Sequence, residues 1–123
     1  MIGKIYCFLT PYYNASLGKM DYKKRPALII GISDRSDYAV LPVSRVTNPV
    51  NLDLNYDIKI DPSVYPLSGL RCVSYVRTHK QTVFNAGELG SYVGDLKTDY
   101  EDLYLEILEK LEEYNGNLLS KAI

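Results

Sequence analysis

The sequence contains no tryptophan, one histidine and two cysteines among its 123 residues. The single histidine, His79, excludes acid–base catalysis by a pair of imidazoles, one taking a proton and the other giving one. Cys7 and Cys72 lie far apart in the chain, so the close Cys/His pairs of a structural metal site are missing. We expect two buried free thiols in a reducing cytoplasm.

Several motifs are also missing. The chain has no P-loop, no G-x-S-x-G turn and no H-E-x-x-H pair. No apolar run approaches the roughly 20 residues of a membrane span, and the first ten residues lack the long apolar core of a signal peptide. We therefore expect a cytoplasmic protein without a metal, a cofactor or a membrane segment.

The composition is that of one globular domain spanning residues 1–123, with 46% hydrophobic and 24% charged residues. Charge is divided unevenly: the first 82 residues carry a net +5 and the last 41 a net −6. A basic front is compatible with an anionic ligand bound there. The alternative is that one surface helix is simply acidic.

Hydrophobic patterns predict the elements. Residues 2–9 favour a strand, and residues 10–24 a long polar loop. The apolar run 26–32 and residues 38–43 favour a hairpin. Residues 56–60 alternate apolar and polar side chains, and so do residues 70–77.

The C-terminal part changes to three- and four-residue spacing, which indicates a helix. Thr98 and Glu101 fit a capping box at its start, and Asn115-Gly116 a stop. Residues 85–92 are predicted to form one or two helical turns. The order, short strands and then a helix, predicts a mainly β fold with a C-terminal helix, built as a small barrel or sandwich. We place the barrel at about residues 1–84 and the helical part at about 85–118.

Three pieces of sequence, taken in order, resemble one family. They are GKIY at residues 3–6; KRPALII at residues 24–30 with VLPVS at residues 40–44; and VRTHKQ at residues 76–81, followed by GDL at residues 94–96 and the helix. This set is similar to the MazF/PemK toxins of bacterial toxin–antitoxin pairs, and it covers residues 3 to about 114.

The resemblance implies an SH3-like small β-barrel, as in MazF, PemK and CcdB toxins, and a homodimer. It implies metal-independent, sequence-specific cleavage of single-stranded RNA, in which the ribose 2′-OH attacks phosphorus and leaves a 2′,3′-cyclic phosphate and a 5′-OH. The implied partner is a cognate antitoxin whose disordered tail covers the RNA groove.

Arg25 matches the family's catalytic arginine. Its guanidinium is planar and permanently charged, so it is a candidate to stabilise the negative charge that develops on the phosphoryl oxygens. The alternative role is to donate the proton to the leaving oxygen. Ser44 stands where the family has Thr or Ser, and its hydroxyl is a candidate to hold a phosphate oxygen or orient the 2′-OH. Thr47 is a second candidate for the same role.

Arg77 and Thr78 match the Arg-Thr of the third motif, with Tyr75 beside Arg77 as a candidate for base stacking. Many family members carry an aspartate just after this pair, as a proposed general base. Here the sequence continues with His79 and Lys80 instead. His79 is therefore the candidate base, with a solvated loop histidine as the alternative.

Other residues are candidates for holding RNA. Lys23, Lys24 and Lys80 suit the phosphate backbone, and Asp21 is a candidate to orient Arg25. Tyr12, Tyr13 and Tyr22 are candidates to stack on bases.

Two further functions stay open. One is a non-catalytic barrel that binds nucleic acid or a protein, because the acid after Arg-Thr is missing. The other is a toxin scaffold with a target such as DNA gyrase.

Overall fold

The computed structural model describes residues 1–123 as one curled, seven-stranded antiparallel sheet followed by two helices. The strands are β1 (Lys4–Asn14), β2 (Lys19–Asp34), β3 (Asp37–Ser44), β4 (Asp57–Ile60), β5 (Ser74–Arg77), β6 (Thr82–Asn85) and β7 (Leu89–Asp95). The helices are α1 (Leu96–Asp99) and α2 (Glu101–Ala122). The predicted class, mainly β with a C-terminal helix, is confirmed.

The strand order is β4-β5-β3-β2-β1-β7, and β6 also pairs with β3. Strand β3 meets β5 through its last two residues and β6 through its first four. One long strand thus serves two partners, which curls the sheet into a half-barrel. The turn after β5 is thereby held near the end of β3.

The predicted polar loop over residues 10–24 is wrong. Strands β1 and β2 continue through it as a long hairpin, with Thr10 opposite Lys23 and Tyr13 opposite Met20. Threonine and tyrosine favour extended backbone, which outweighs the polarity of the segment. The turn is closed by Asn14, whose Oδ1 accepts from two amides, and by Gly18 at φ 64°.

The C-terminal part also differs from the prediction. Residues 82–85 and 89–95 form strands, separated by one 3-10 turn at Ala86–Glu88, where helical turns were predicted. The sheet therefore extends past residue 84. The predicted capping box at Thr98 is absent. Asp95 caps the short helix α1, where its Oδ1 accepts from the Thr98 amide at 3.1 Å, and α2 begins after Tyr100 without a side-chain cap. Helix α2 continues through Gly116 to Ala122.

The main hydrophobic core lies between the concave face of the sheet and α2. It consists of eleven buried residues: Ile5, Leu28, Leu41, Val43, Ile58, Ile60, Val76, Leu96, Leu103, Tyr104 and Ile107. A smaller cluster centred on Phe8 packs the other side of β1, β2 and β3. Both cysteines are free and half-buried. No helix is long and apolar enough to span a bilayer.

Candidate nucleic-acid cleavage site

A groove of about 610 Å³ opens beside Arg25, which lies within β2, and the C-terminal ends of β3 and β5. Among the predicted site residues it gathers Arg25, Ser44, Thr47, Arg77, His79 and Lys80. Arg45 adds another cation, and Asp53 is the one carboxylate in the lining. A cleft lined by cations and polar groups, with few apolar side chains, suits a polyanion better than an apolar ligand.

Arg25 lies on β2 opposite Phe8, with its side chain exposed. It takes part in no ion pair, and its guanidinium makes no hydrogen bond within the chain. Pro26 follows and fixes the backbone as the strand enters the core. All five N–H donors of Arg25 are therefore available to a ligand.

Ser44 ends β3, where it pairs with Tyr75 of β5. Its hydroxyl makes no hydrogen bond within the chain, so it is free to meet a ligand in the groove. Thr47 lies three residues further on, in the exposed loop before the 3-10 turn at Pro49–Asn51. The serine sits at the end of an ordered strand, and its position is more firmly fixed than that of the threonine.

Arg77 is held by the buried carboxylate of Asp57, which was not among the predicted site residues. Its Nε donates to Asp57 Oδ1 at 3.1 Å, and its Nη2 donates to the Asn51 carbonyl at 2.8 Å and to Asp57 Oδ2 at 3.4 Å. Only the two protons on Nη1 remain free. Most of the Arg77 guanidinium donors therefore bond within the fold, and only Nη1 is left to contact a ligand in the groove.

The turn after β5 carries His79 and Lys80 into the groove, with the Lys80 amide bonded to the Arg77 carbonyl at 3.1 Å. Thr78, between Arg77 and His79, is fully buried, and its hydroxyl donates to the Tyr56 carbonyl at 2.6 Å. The structure therefore places Thr78 in the scaffold of the turn, not at the surface where a substrate contact was predicted.

Asp53 lies in the groove wall. Partial burial raises the pKa of its carboxyl, but the amides of Tyr56 and Asn55 and the charges of His79 and Arg77 lower it by more, so the net pKa is below the ordinary 3.8. Asp53 is therefore an anion at neutral pH that balances part of the cationic groove.

The candidate RNA-binding and positioning residues of the 10–24 segment lie outside the groove. Asp21 Oδ2 accepts from Asn14 Nδ2 at 3.4 Å, and Asp21 sits four extended residues, about 13 Å, before Arg25. It does not orient that arginine. Lys23 shares a face of β2 with Arg25, whereas Lys24 points to the other face. Tyr75, Tyr12, Tyr13 and Tyr22 do not line the groove.

Asp57 could not be found by pattern. The alternation of residues 56–60 places it on the polar, outward side of β4, together with Lys59. In the fold it is buried, because the register of β4 and β5 sets it directly opposite Arg77. No group of three or more His, Cys, Asp and Glu side chains lies close enough to hold a metal ion.

No protein-family model matches the sequence, and no curated protein is significantly similar to it. Solved structures do match. The Mycobacterium tuberculosis toxin MazF-mt6 superposes with a TM-score of 0.66 at 16% identity, covering 92% of this chain and 96% of that one. An endoribonuclease from a mycobacterial species, solved with its cognate antitoxin, gives 0.65 at 17% identity, with 94% of both chains covered.

A third structure, an Mtb toxin, superposes with a TM-score of 0.56 at 17% identity and covers 85% of this chain and 99% of that one. The chain thus shares with these structures a mainly β fold, in which a curled half-barrel sheet is followed by a C-terminal helix. More particularly, it has the MazF toxin fold over nearly its whole length, as the three sequence pieces predicted.

Proposed function

We propose that the chain is a metal-independent endoribonuclease that cleaves single-stranded RNA and acts as the toxin of a toxin–antitoxin pair. The observation that carries the proposal is the groove that joins Arg25, Ser44 and His79 from separate parts of the chain. The matched structures, which include a MazF toxin and an endoribonuclease, support it through the shared fold.

The chemistry follows from the groups present. Arg25, with no partner in the chain, and the free edge of Arg77 stabilise the charge that develops on the phosphoryl oxygens. The Ser44 hydroxyl holds a phosphate oxygen or the ribose 2′-OH. His79 takes the 2′-OH proton as the 2′-oxygen bonds to phosphorus. The P–O5′ bond then breaks, the 5′-oxygen takes a proton from water, and the protonated His79 returns its proton to the hydroxide that remains.

The test uses purified protein, a long natural mRNA and EDTA, with the fragment ends sequenced. We expect discrete cuts bearing 2′,3′-cyclic phosphate and 5′-OH ends. Arg25→Ala should lower the cleavage rate by about 10²- to 10³-fold, as loss of one preorganised donor to a developing oxyanion does. Arg35→Ala is the matched control, because Arg35 is exposed in the turn between β2 and β3. Equal losses in both variants would contradict the proposal.

A second candidate is a non-catalytic barrel that binds RNA or a protein. The observation that favours it is the commitment of Arg77 to Asp57 and Asn51, which leaves one arginine edge fewer for chemistry. In the same experiment, RNA binding without cleavage by the wild-type protein would select this candidate. Absence of both would instead direct attention to a target such as DNA gyrase.

We further propose a cognate antitoxin, whose acidic, disordered tail fits the cationic groove, and a homodimer. One matched endoribonuclease was solved with its antitoxin. A small open reading frame for an acidic protein next to this gene is the expected sign of the pair. Co-purification of that protein with the wild-type chain, weakened by a charge-reversing Arg25→Glu change, tests the groove as its docking site, and sedimentation tests the dimer.

A further inference from the structure

Asp57 contacts two candidate catalytic residues at once. Its carboxylate has no exposed surface and bonds Arg77 at 3.1 Å, and its Oδ1 lies 3.7 Å from His79 Nδ1. The second oxygen also accepts from the Asp53 amide at 2.8 Å. The carboxylate is therefore fixed in place from three directions, with one oxygen next to the imidazole.

The environment of His79 Nδ1 decides where the imidazole carries its proton. This nitrogen is buried and has no hydrogen-bond partner in the chain. At 3.7 Å the Asp57 oxygen is too far for a hydrogen bond but close enough for a strong electrostatic effect in a buried site. An unprotonated Nδ1 would turn its lone pair toward the carboxylate, and the two would repel each other. A proton on Nδ1 makes the same contact attractive.

The other ring nitrogen, Nε2, makes no hydrogen bond within the chain and is not among the buried unpartnered atoms. It therefore keeps access to solvent, and His79 lines the groove. We infer that Asp57 is a positioning residue that holds His79 with its proton on Nδ1, so that the lone pair of Nε2 faces the groove as the proton acceptor. This inference rests on the proposed function only for the identity of the proton donor, the ribose 2′-OH.

Two aromatic rings flank the imidazole. Tyr56, next to Asp57, and Tyr114, on α2, each lie with ring centroids 6.3 Å from that of His79. Tyr56 is itself held, since its carbonyl accepts from Thr78 and its hydroxyl accepts from Asn117 Nδ2 at 2.8 Å. In this orientation of the ring, the tautomer set by Asp57 also sets the direction of the lone pair.

The tautomer can be measured directly, because His79 is the only histidine. The protein is labelled with ¹⁵N-histidine, and the long-range ¹H–¹⁵N spectrum is recorded without RNA at about pH 9, well above the usual pKa range of histidine. This spectrum contains one imidazole. We expect Nδ1 to carry the proton and Nε2 to be bare. A wild-type spectrum with the proton on Nε2 would overturn the inference, and this result needs no variant that has to fold.

Asp57→Asn tests the consequence. We expect its imidazole to move toward the Nε2–H tautomer, and single-turnover RNA cleavage to fall by about 10²- to 10⁴-fold, the range for losing general-base catalysis or the carboxylate that orients the base. Asp61→Asn is the matched control, because Asp61 follows the same strand and its side chain bonds only Ser63. It should change neither readout.

The two readouts separate this inference from the proposed function. A wild-type protein with the Nδ1–H tautomer but no cleavage would refute the proposed function and support the Asp57–His79 relationship. A loss of cleavage in Asp57→Asn with an unchanged tautomer would overturn the inference, since Asp57 would then act through Arg77 alone.

Discussion

Asp57 on β4 and Arg77 on β5 are directly opposite each other in the sheet, and two nitrogens of the guanidinium donate hydrogen bonds to the carboxylate. The carboxylate is wholly buried and the arginine side chain is 21% exposed. Arg77 lines the cationic groove, whereas Asp57 is not part of its lining. The pair serves the fold first, and it thereby determines which edge of Arg77 and which nitrogen of His79 reach a ligand.

Removing one partner of this ion pair should lower the free energy of unfolding substantially. Arg77→Ala leaves the buried Asp57 carboxylate without its main counter-charge, and breaking a buried pair in this way costs about 3–5 kcal/mol. Arg25→Ala, in contrast, removes an exposed arginine with no partner and should change stability by less than about 0.5 kcal/mol. Urea unfolding followed by circular dichroism measures both. Similar stabilities for the two variants would contradict the assignment of Arg77 to the scaffold.

Two adjacent lysines should differ in their effect on RNA binding. Lys23 lies on the Arg25 face of β2 and Lys24 on the opposite face. Lys23→Ala should therefore lower the slope of log affinity against log salt by about 0.7, the value for one phosphate contact on a single strand. Lys24→Ala should leave the slope unchanged, and it serves as the control because it removes the same charge. Equal slopes in the two variants would place the RNA elsewhere.

The sequence predicts the framework of the site better than its interior. Arg25, Ser44, Arg77 and His79 can be identified from short motifs with fixed order, and the fold gathers them around one groove. Their roles remain predictions. The buried contacts of Thr78 and Asp57 depend on the register of β4 and β5, which no local pattern specifies.

The fold, like the site, is predicted where local sequence patterns are strong and missed where strand pairing decides. The β2–β3 hairpin and the core face of α2 show strong periodicity and form as predicted. The outer part of the β1–β2 hairpin and strand β7 were missed, because their polar or glycine-rich sequences become strands only by pairing: the outer parts of β1 and β2 pair with each other, and β7 pairs with β1. Strand propensity depends on such neighbours more than helix propensity does.

The carboxyl of Asp53 should give the protein a specific acid sensitivity. Its pKa lies below 3.8 in the fold, so folding favours its ionised form. The stabilisation is present above about pH 4 and is lost as pH falls through the unfolded value and then the folded one. Unfolding free energies measured from pH 7 to pH 3 should fall less steeply in Asp53→Asn than in the wild-type protein. An identical slope would mean that the Asn55 and Tyr56 amides do not favour the ionised carboxyl.

Gly116 distinguishes the two positions considered for the end of α2. The sequence pattern ends the helix at Asn115-Gly116, where glycine would serve as a left-handed cap. In the structure Gly116 is inside α2, its φ is not positive, and a Cβ there would meet no atom within 4 Å. Gly116→Ala should therefore stabilise the protein by about 0.5–1 kcal/mol, because alanine loses less backbone entropy in a helix. Thermal unfolding measures the change, with the exposed Ser120→Ala in the last turn as a comparison. If Gly116 instead caps the helix, alanine would be forced into a positive φ and would lower stability, so the sign of the change alone decides where α2 ends.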